Sequence, residues 1–204
     1  MTMFLKLVFV SFLSGLLVIN AAAQVSAESD QISRLTIKVR GIVCSFCAFG
    51  VEKNLSRLPF LDKTQFGQNG VLININTQEI TLALLADKPV AYADIATAIT
   101  KGGYDPISYH GVIEGVIHSR DGKLYLVDQG KQQVYHLPQT AELTHISGKR
   151  VQLDISLTST QAKASNAEET SVSEYRVSHV YDSSEPKVHH SQSSISKLKP
   201  GRDL

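Results

Sequence analysis

The apolar period of this chain switches from two to 3.6 and back, twice, between Leu35 and Tyr109, and that order leaves few ways to fold. Leu35, Ile37 and Val39 alternate with Thr36, Lys38 and Arg40, the pattern of a strand with one buried face. Gly41 ends it. Cys47, Val51, Leu55 and Leu58 then share one helical face, with Glu52, Lys53, Asn54 and Arg57 around the rest, until Pro59 stops the helix. Val71 to Ile75 and Ile80 to Leu85 read as two strands joined by the polar turn Asn76-Thr77-Gln78. Pro89 precedes a second helix whose face is Tyr92, Ile95, Ala96 and Ile99, capped by Gly102-Gly103. Pro106 to Tyr109 is a short last strand. The order is β-α-β-β-α-β, the ferredoxin-like split βαβ arrangement with two helices on one face of a four-stranded antiparallel sheet.

Beyond Val112 only the strand period remains. Strands are expected at Val112 to His118, Lys123 to Asp128, Gln133 to Leu137 and Lys149 to Thr158, with turns at Arg120-Asp121-Gly122 and Gln129-Gly130-Lys131. A short connection at Ala141 to Ile146, a polar stretch from Gln161 to Ser171 and a last strand around Tyr175, Val177 and Val180 complete the pattern. Short strands with regular turns imply a small barrel of the OB or SH3-like kind. The fold class is therefore α+β: a ferredoxin-like domain over 33–110, a small all-β barrel over 111–182 and a disordered, Ser-rich tail over 183–204.

The first 23 residues have the anatomy of a secretory signal peptide. Lys6 gives a positive start, Leu7 to Ile19 is almost wholly apolar, and Ala21-Ala22-Ala23 offers a small-residue cleavage site. An uncleaved anchor helix is the alternative reading, since such a segment nearly spans a bilayer. The signal has a bacterial style, so the mature chain is expected in the periplasm. A formal net charge of +1, with neither a basic run nor an acidic block, gives no argument for nucleic acid as a partner.

Chemistry concentrates at Cys44-Ser45-Phe46-Cys47, which holds the only two cysteines of the chain. A bridge between residues this close closes a tiny loop and restricts the unfolded chain little, so stapling the fold is a poor reason for the pair. Redox chemistry and metal binding are better ones. The expected topology sets Cys44 at the N-terminus of the first helix, where free amides and the helix dipole favour thiolate. Two thiolates without a third nearby ligand suit Cu(I), and by the same logic Hg(II). Zn(II) suits them less, because it usually takes three or four protein ligands. His118, His136 and His145 are scattered and read as surface histidines, with a shared metal site as the sharper alternative. His189-His190 in the tail reads as at most a loose metal site.

Gly41-Ile42-Val43-Cys44-Ser45-Phe46-Cys47, followed by Val51-Glu52-Lys53-x-Leu55, resembles the G-M-x-C-x-x-C helix of the heavy-metal-associated domain family. Lys101-Gly102-Gly103-Tyr104 resembles that family's K-x-G-Y end of the second helix. The family includes copper chaperones, periplasmic mercury-binding proteins and modules of metal-pumping ATPases. The resemblance implies that Cys44 and Cys47 are the metal ligands and that Tyr104 packs beside their loop. Ile42 replaces the usual Met, which packs under the loop and is not a ligand, and Phe46 is bulkier and more apolar than the pattern leads one to expect. Gly148-Lys149-x-Val151, with the return strand Tyr175-Arg176-Val177, is similar to small exported OB-type domains. The expected function is that of an exported carrier or scavenger of a soft metal ion, without enzymatic activity, possessing a membrane metal transporter or another acceptor protein as its partner. The alternative is a periplasmic thiol–disulfide redox protein using the same two cysteines.

Overall fold

The structure, a computed structural model, describes residues 34–181. The expected signal segment, the tail and His189-His190 lie outside the described residues. The fold is α+β and rich in sheet. Strand β1 (Arg34–Arg40) is followed by α1 (Ser45–Leu55), β2 (Val71–Asn74), β3 (Glu79–Ala83), α2 (Tyr92–Lys101) and β4 (Asp105–Arg120). These first elements appear in the order read from the periodicity. Their strands run β2-β3-β1-β4 across the sheet, all antiparallel. Leu35, Ile37, Val39, Ile80 and Leu82 point to one face and are buried there with Val51 and Leu55 of α1 and Ile95 and Ile99 of α2. Burial on one face only is what the alternation of β1 demands.

Local chemistry sets the element ends. In the β2–β3 turn, Asn74 accepts from the amides of Asn76 and Thr77 at 3.0 and 3.2 Å, an Asx-type turn. Helix α2 ends where Gly102 donates to the carbonyl of Ile99 and Gly103 takes a positive φ of 87°, a conformation that glycine adopts without steric cost.

The largest departure from expectation is β4. The short strand at Pro106 and the separate strand at Val112 are one element of 16 residues. Gly111 lies between the two expected strands and Gly115 within the second, and both sit inside β4 as close-approach positions. A Cβ at Gly115 would collide with the backbone carbonyl of Val127, and a strand glycine often marks such an approach. The bulge lies earlier: Lys38 pairs with Ser108 and Val39 with Pro106, leaving Ile107 unopposed. Pro106 has no N–H to give to a ladder, which suits it to a bulge. The boundary expected between residues 110 and 111 thus falls within a strand that both halves share.

The remaining elements are β5 (Lys123–Asp128), β6 (Gln133–Leu137), α3 (Ala141–His145), β7 (Arg150–Thr158), α4 (Ser159–Ala164), β8 (Glu169–Ser171) and β9 (Glu174–Val180). The polar stretch from Gln161 therefore contains structure: a capping box between Thr158 and Gln161 starts α4, and β8 pairs in parallel with β6. Strand β4 pairs with β5 and β7, β5 with β6, and β7 with β9. Ser173, between β8 and β9, donates its amide to Ser156 of β7 at 3.0 Å. The strands of this half thus form a ring around Ile113, Ile117, Leu124, Leu126, Tyr135, Leu153 and Val172.

The two halves meet through more than β4. Gly130, in the β5–β6 turn, lies against the carbonyl of Ala86, and Tyr92 of α2 meets Tyr109 of β4 edge to face at 6.1 Å. Burial pushes the Tyr92 hydroxyl up to about 12. Lys131 is buried at the same junction, and desolvation lowers its pKa against the opposing pull of Asp128.

Candidate metal-binding loop

Cys44 follows β1 across the loop Gly41-Ile42-Val43, and three contacts hold that loop. Gly41 has a φ of +101° and no room for a side chain, since a Cβ would stand 3.3 Å from the Tyr104 ring. Its amide donates to Oε1 of Gln78 at 3.1 Å, and the Val39 amide donates to the Gln78 carbonyl at 2.9 Å. Ile42 is fully buried, filling space under the loop as an apolar side chain of that size can. Tyr104 is beside the loop, as the sequence resemblance implies, and is partly buried against the core.

The carbonyl of Cys44 accepts from the amide of Ala48 at 3.1 Å. It therefore caps α1, and Cys44 stands at the end of the helix where unpaired amides and the dipole favour negative charge. Cys44 is half-buried and disulfide-bonded. The only other cysteine of the chain is Cys47, in the first turn of α1. The bonded form holds no thiolate, so ion binding requires its reduction.

A glycine lets the second helix approach. A Cβ on Gly102 would lie 2.6 Å from Cγ2 of Val51, so α2 meets α1 closely just below the loop. Asn54 of α1 donates to the carbonyl of Ala98 of α2 at 3.3 Å. Glu52, on the outer side of α1, accepts from Asn69 in the loop before β2, and Asn69 in turn accepts from the amide of Val71 at 2.9 Å. The cysteine-bearing helix is tied on both flanks.

Val43 and Phe49 went unread in the sequence, whereas Phe46 stood out between the cysteines as bulkier and more apolar than the pattern leads one to expect. Val43, Phe46 and Phe49 are 72%, 89% and 61% exposed, respectively, around Cys44. Phe49 follows Phe46 by three positions, hence on the same side of the helix, and away from Ala48, Val51 and Leu55, which are buried. Spacing against the buried set was the available signal.

The histidines do not converge. His118 pairs with Tyr125 across β4 and β5, and Tyr125 pairs with His136 across β5 and β6. The tyrosine thus separates the two imidazoles, its ring edge to face with His136 at 5.0 Å. His136 also faces Glu169 at 3.5 Å. Among the described residues no group of three or more His, Cys, Asp or Glu is placed to hold a metal ion. No helix among them is long and apolar enough to cross a membrane. A trough of about 600 Å³ lies elsewhere, on the helix-free face of the sheet, lined by Arg34, Thr36, His110, Ser156 and Arg176 among others. His110 there is held between the hydroxyls of Ser108 and Ser156, both at 2.9 Å.

No family model matches the chain, and no curated protein matches it. Among solved structures it is similar to a CopZ metallochaperone, at 23% identity over 37% of this chain and the whole of that one, with a TM-score of 0.31.

Proposed function

We propose that this chain binds a soft metal ion, Cu(I) or Hg(II), between the thiolates of Cys44 and Cys47, and carries or sequesters it after export to the periplasm. The ion is cargo, and the chain acts on it without catalysis. The observation that carries the reading is the placement of Cys44: it caps α1 by accepting from Ala48, on a loop pinned by Gln78 and Tyr104 and open to solvent beyond it. A sulfur placed at a thiolate-favouring helix end, with the second cysteine in the first turn of the same helix, suits an ion satisfied by two soft donors. Zn(II) is the poorer cargo, for want of further ligands among the described residues. The sheet order β2-β3-β1-β4 supports a ferredoxin-like, heavy-metal-associated reading of the first half. The ring of strands, its parallel β6–β8 pair and the helix between β6 and β7 support an OB-type barrel for the second.

The test is competitive titration of the reduced chain with Cu(I), Hg(II) and Zn(II). One Cu(I) or Hg(II) per chain is expected, lost in Cys44→Ser and in Cys47→Ser. Failure of the reduced chain to bind either ion stoichiometrically ends the proposal.

A second reading, thiol–disulfide exchange, is favoured by the disulfide at Cys44. Attack by an external thiolate on one sulfur would give a mixed disulfide and release the other as thiolate. Catalysed reduction of insulin by the reduced chain, abolished in Cys44→Ser, would favour it over metal carriage.

A further inference from the structure

We propose that the trough on the helix-free face of the sheet is a second site, which hydrolyses small carboxylic esters with Ser156 as nucleophile, His110 as its base and Ser108 as the group that orients the imidazole. This activity is independent of the cysteine loop and does not rest on the metal reading.

His110 carries the argument. It is exposed, so water is at hand for both ring nitrogens. Each nitrogen is held by a serine instead, at 2.9 Å: Nε2 by Ser108, two residues back on the same face of β4, and Nδ1 by Ser156, its partner across β7. A neutral imidazole donates from one nitrogen and accepts at the other, so two fixed partners set both its orientation and its tautomer. A hydroxyl within reach of a base that a third group orients is the arrangement that activates a serine. The trough decides which serine reacts. Ser156 lines it beside His110, whereas Ser108 lies outside the lining. With Nε2–H donated to Ser108, Nδ1 accepts from the Ser156 hydroxyl, and attack takes place inside the trough. Continuity of β4 through Gly111 makes this possible, because it sets a histidine of the first half beside a serine of the second, 46 residues on.

The surroundings suit a small polar ester. A volume of about 600 Å³ is within the usual range for small-molecule sites. Asp154, one step along β7 on the same face, accepts from Nε and Nη2 of Arg176 at 3.0 and 2.7 Å. That grip positions the guanidinium beside the Ser156–Glu174 pair, with further N–H donors for a developing oxyanion. Arg34 lines the trough as well, and Thr36 stands opposite His110 across β1. In the reaction, Ser156 Oγ bonds to the ester carbonyl carbon as its proton passes to Nδ1. The bond from that carbon to the alcohol oxygen breaks, and the alcohol leaves with the proton. Water, deprotonated by the same nitrogen, then hydrolyses the acyl-serine, which releases the acid and restores Ser156.

The experiment uses the full, disulfide-bonded chain without metal, so that no thiolate competes. A fluorophosphonate probe is expected to label Ser156, located by peptide mass spectrometry. Hydrolysis of 4-nitrophenyl acetate should fall about 100-fold in His110→Ala and in Ser156→Ala, the loss that removal of a general base or its nucleophile brings. Ser108→Ala should lower kcat and leave KM unchanged, with Ser108→Thr restoring the rate, since Ser108 positions the ring and does not touch substrate. His118→Ala, at an exposed histidine outside the trough, should hydrolyse the ester as the parent does. Circular dichroism checks the fold of each variant, and labelling of the parent chain needs no variant at all. Absence of the adduct from Ser156, or hydrolysis undiminished in a folded His110→Ala chain, overturns the proposal.

Discussion

The side-chain amide of Gln133 holds both backbone polar groups of Val90: its Oε1 accepts from the Val90 N–H at 3.0 Å and its Nε2 donates to the Val90 carbonyl at 3.0 Å. Gln133 opens β6 in the second half, and Val90 immediately precedes α2 in the first. Gln133 is fully buried, and Tyr135 donates to its Oε1 at 3.0 Å. One end of α2 is thereby fixed to the ring of strands, while the other brings Tyr104 to Gly41. The Cys44 loop and the second half are thus connected through α2, which packs against α1 at Gly102 and is held at its start by Gln133.

Gln133→Leu keeps the approximate volume and leaves the buried Val90 N–H unpaired, while the Val90 carbonyl still accepts from the Tyr92 amide. Such a group costs about 1–3 kcal/mol, so a loss of roughly 2 kcal/mol is expected in urea unfolding followed by circular dichroism. A change under about 0.5 kcal/mol, the size of an ordinary surface substitution, would show that the junction contributes no stability.

Gly115→Ala addresses the shared strand. The new methyl would meet the Val127 carbonyl and Cδ2 of Leu126 at 2.5 Å. Backbone cannot yield as a flexible side-chain end does, so the β4–β5 pair must open. Overpacking of this kind typically costs 1–3 kcal/mol, and the upper end is expected here, seen as a lowered melting temperature. Gly148→Ala makes a useful contrast: nothing lies within 4 Å of its Cβ position, and only the strain of a φ of +87° opposes the change.

How much of this was legible follows from where the signals were local. The face of α2, Tyr92, Ile95, Ala96 and Ile99, was readable because helical period and burial coincide. Strands β5 and β6 match their sequence bounds because turn residues flank them on both sides. The run of β4 through Gly111 was not readable, since a glycine needed for close approach looks like a glycine that breaks a strand. Gln133 had no local signature at all: its partner is 43 residues away. At the site, Cys44 and Tyr104 stood out by motif, whereas the exposure of Phe49 depended on which helical face meets α2.

Tyr109 supplies a stabilising prediction. It is fully buried, and its hydroxyl has no hydrogen-bond partner among the described residues. Tyr109→Phe removes that unpaired group without leaving a cavity, and should stabilise the chain by about 1 kcal/mol, raising Tm by roughly 2–4 °C. The variant also tests the alkaline limb. Burial raises the pKa of Tyr109, Tyr92 and Tyr135 in the folded chain. Below about pH 10 both states keep these protons and the contribution is constant. Above it the unfolded chain loses them first, so stability falls with rising pH, by up to about 1.4 kcal/mol per pH unit for each group. Tyr109→Phe should make that decline shallower; an unchanged slope would mean that the Tyr109 hydroxyl ionises alike in both states.

Metal carriage requires that the chain remain folded once the Cys44 disulfide is opened, and loop length says that it does. A bridge spanning only four residues removes little entropy from the unfolded chain, about 2 kcal/mol in the chain-entropy description against nearly 5 for a loop of about 100 residues. The anchors of the loop do not involve the sulfurs: Gln78 bonds Gly41, Tyr104 packs on it, Ile42 is buried beneath and Ala48 donates to the Cys44 carbonyl. Reduction should therefore lower stability by no more than about 2 kcal/mol and leave the far-ultraviolet circular dichroism unchanged. Amides from Gly41 to Ala48 should exchange with solvent somewhat faster, while those of β1 and β3 stay protected. Collapse of the whole first half on reduction would make the disulfide a structural element, and a reduced metal carrier would then have no folded state from which to work.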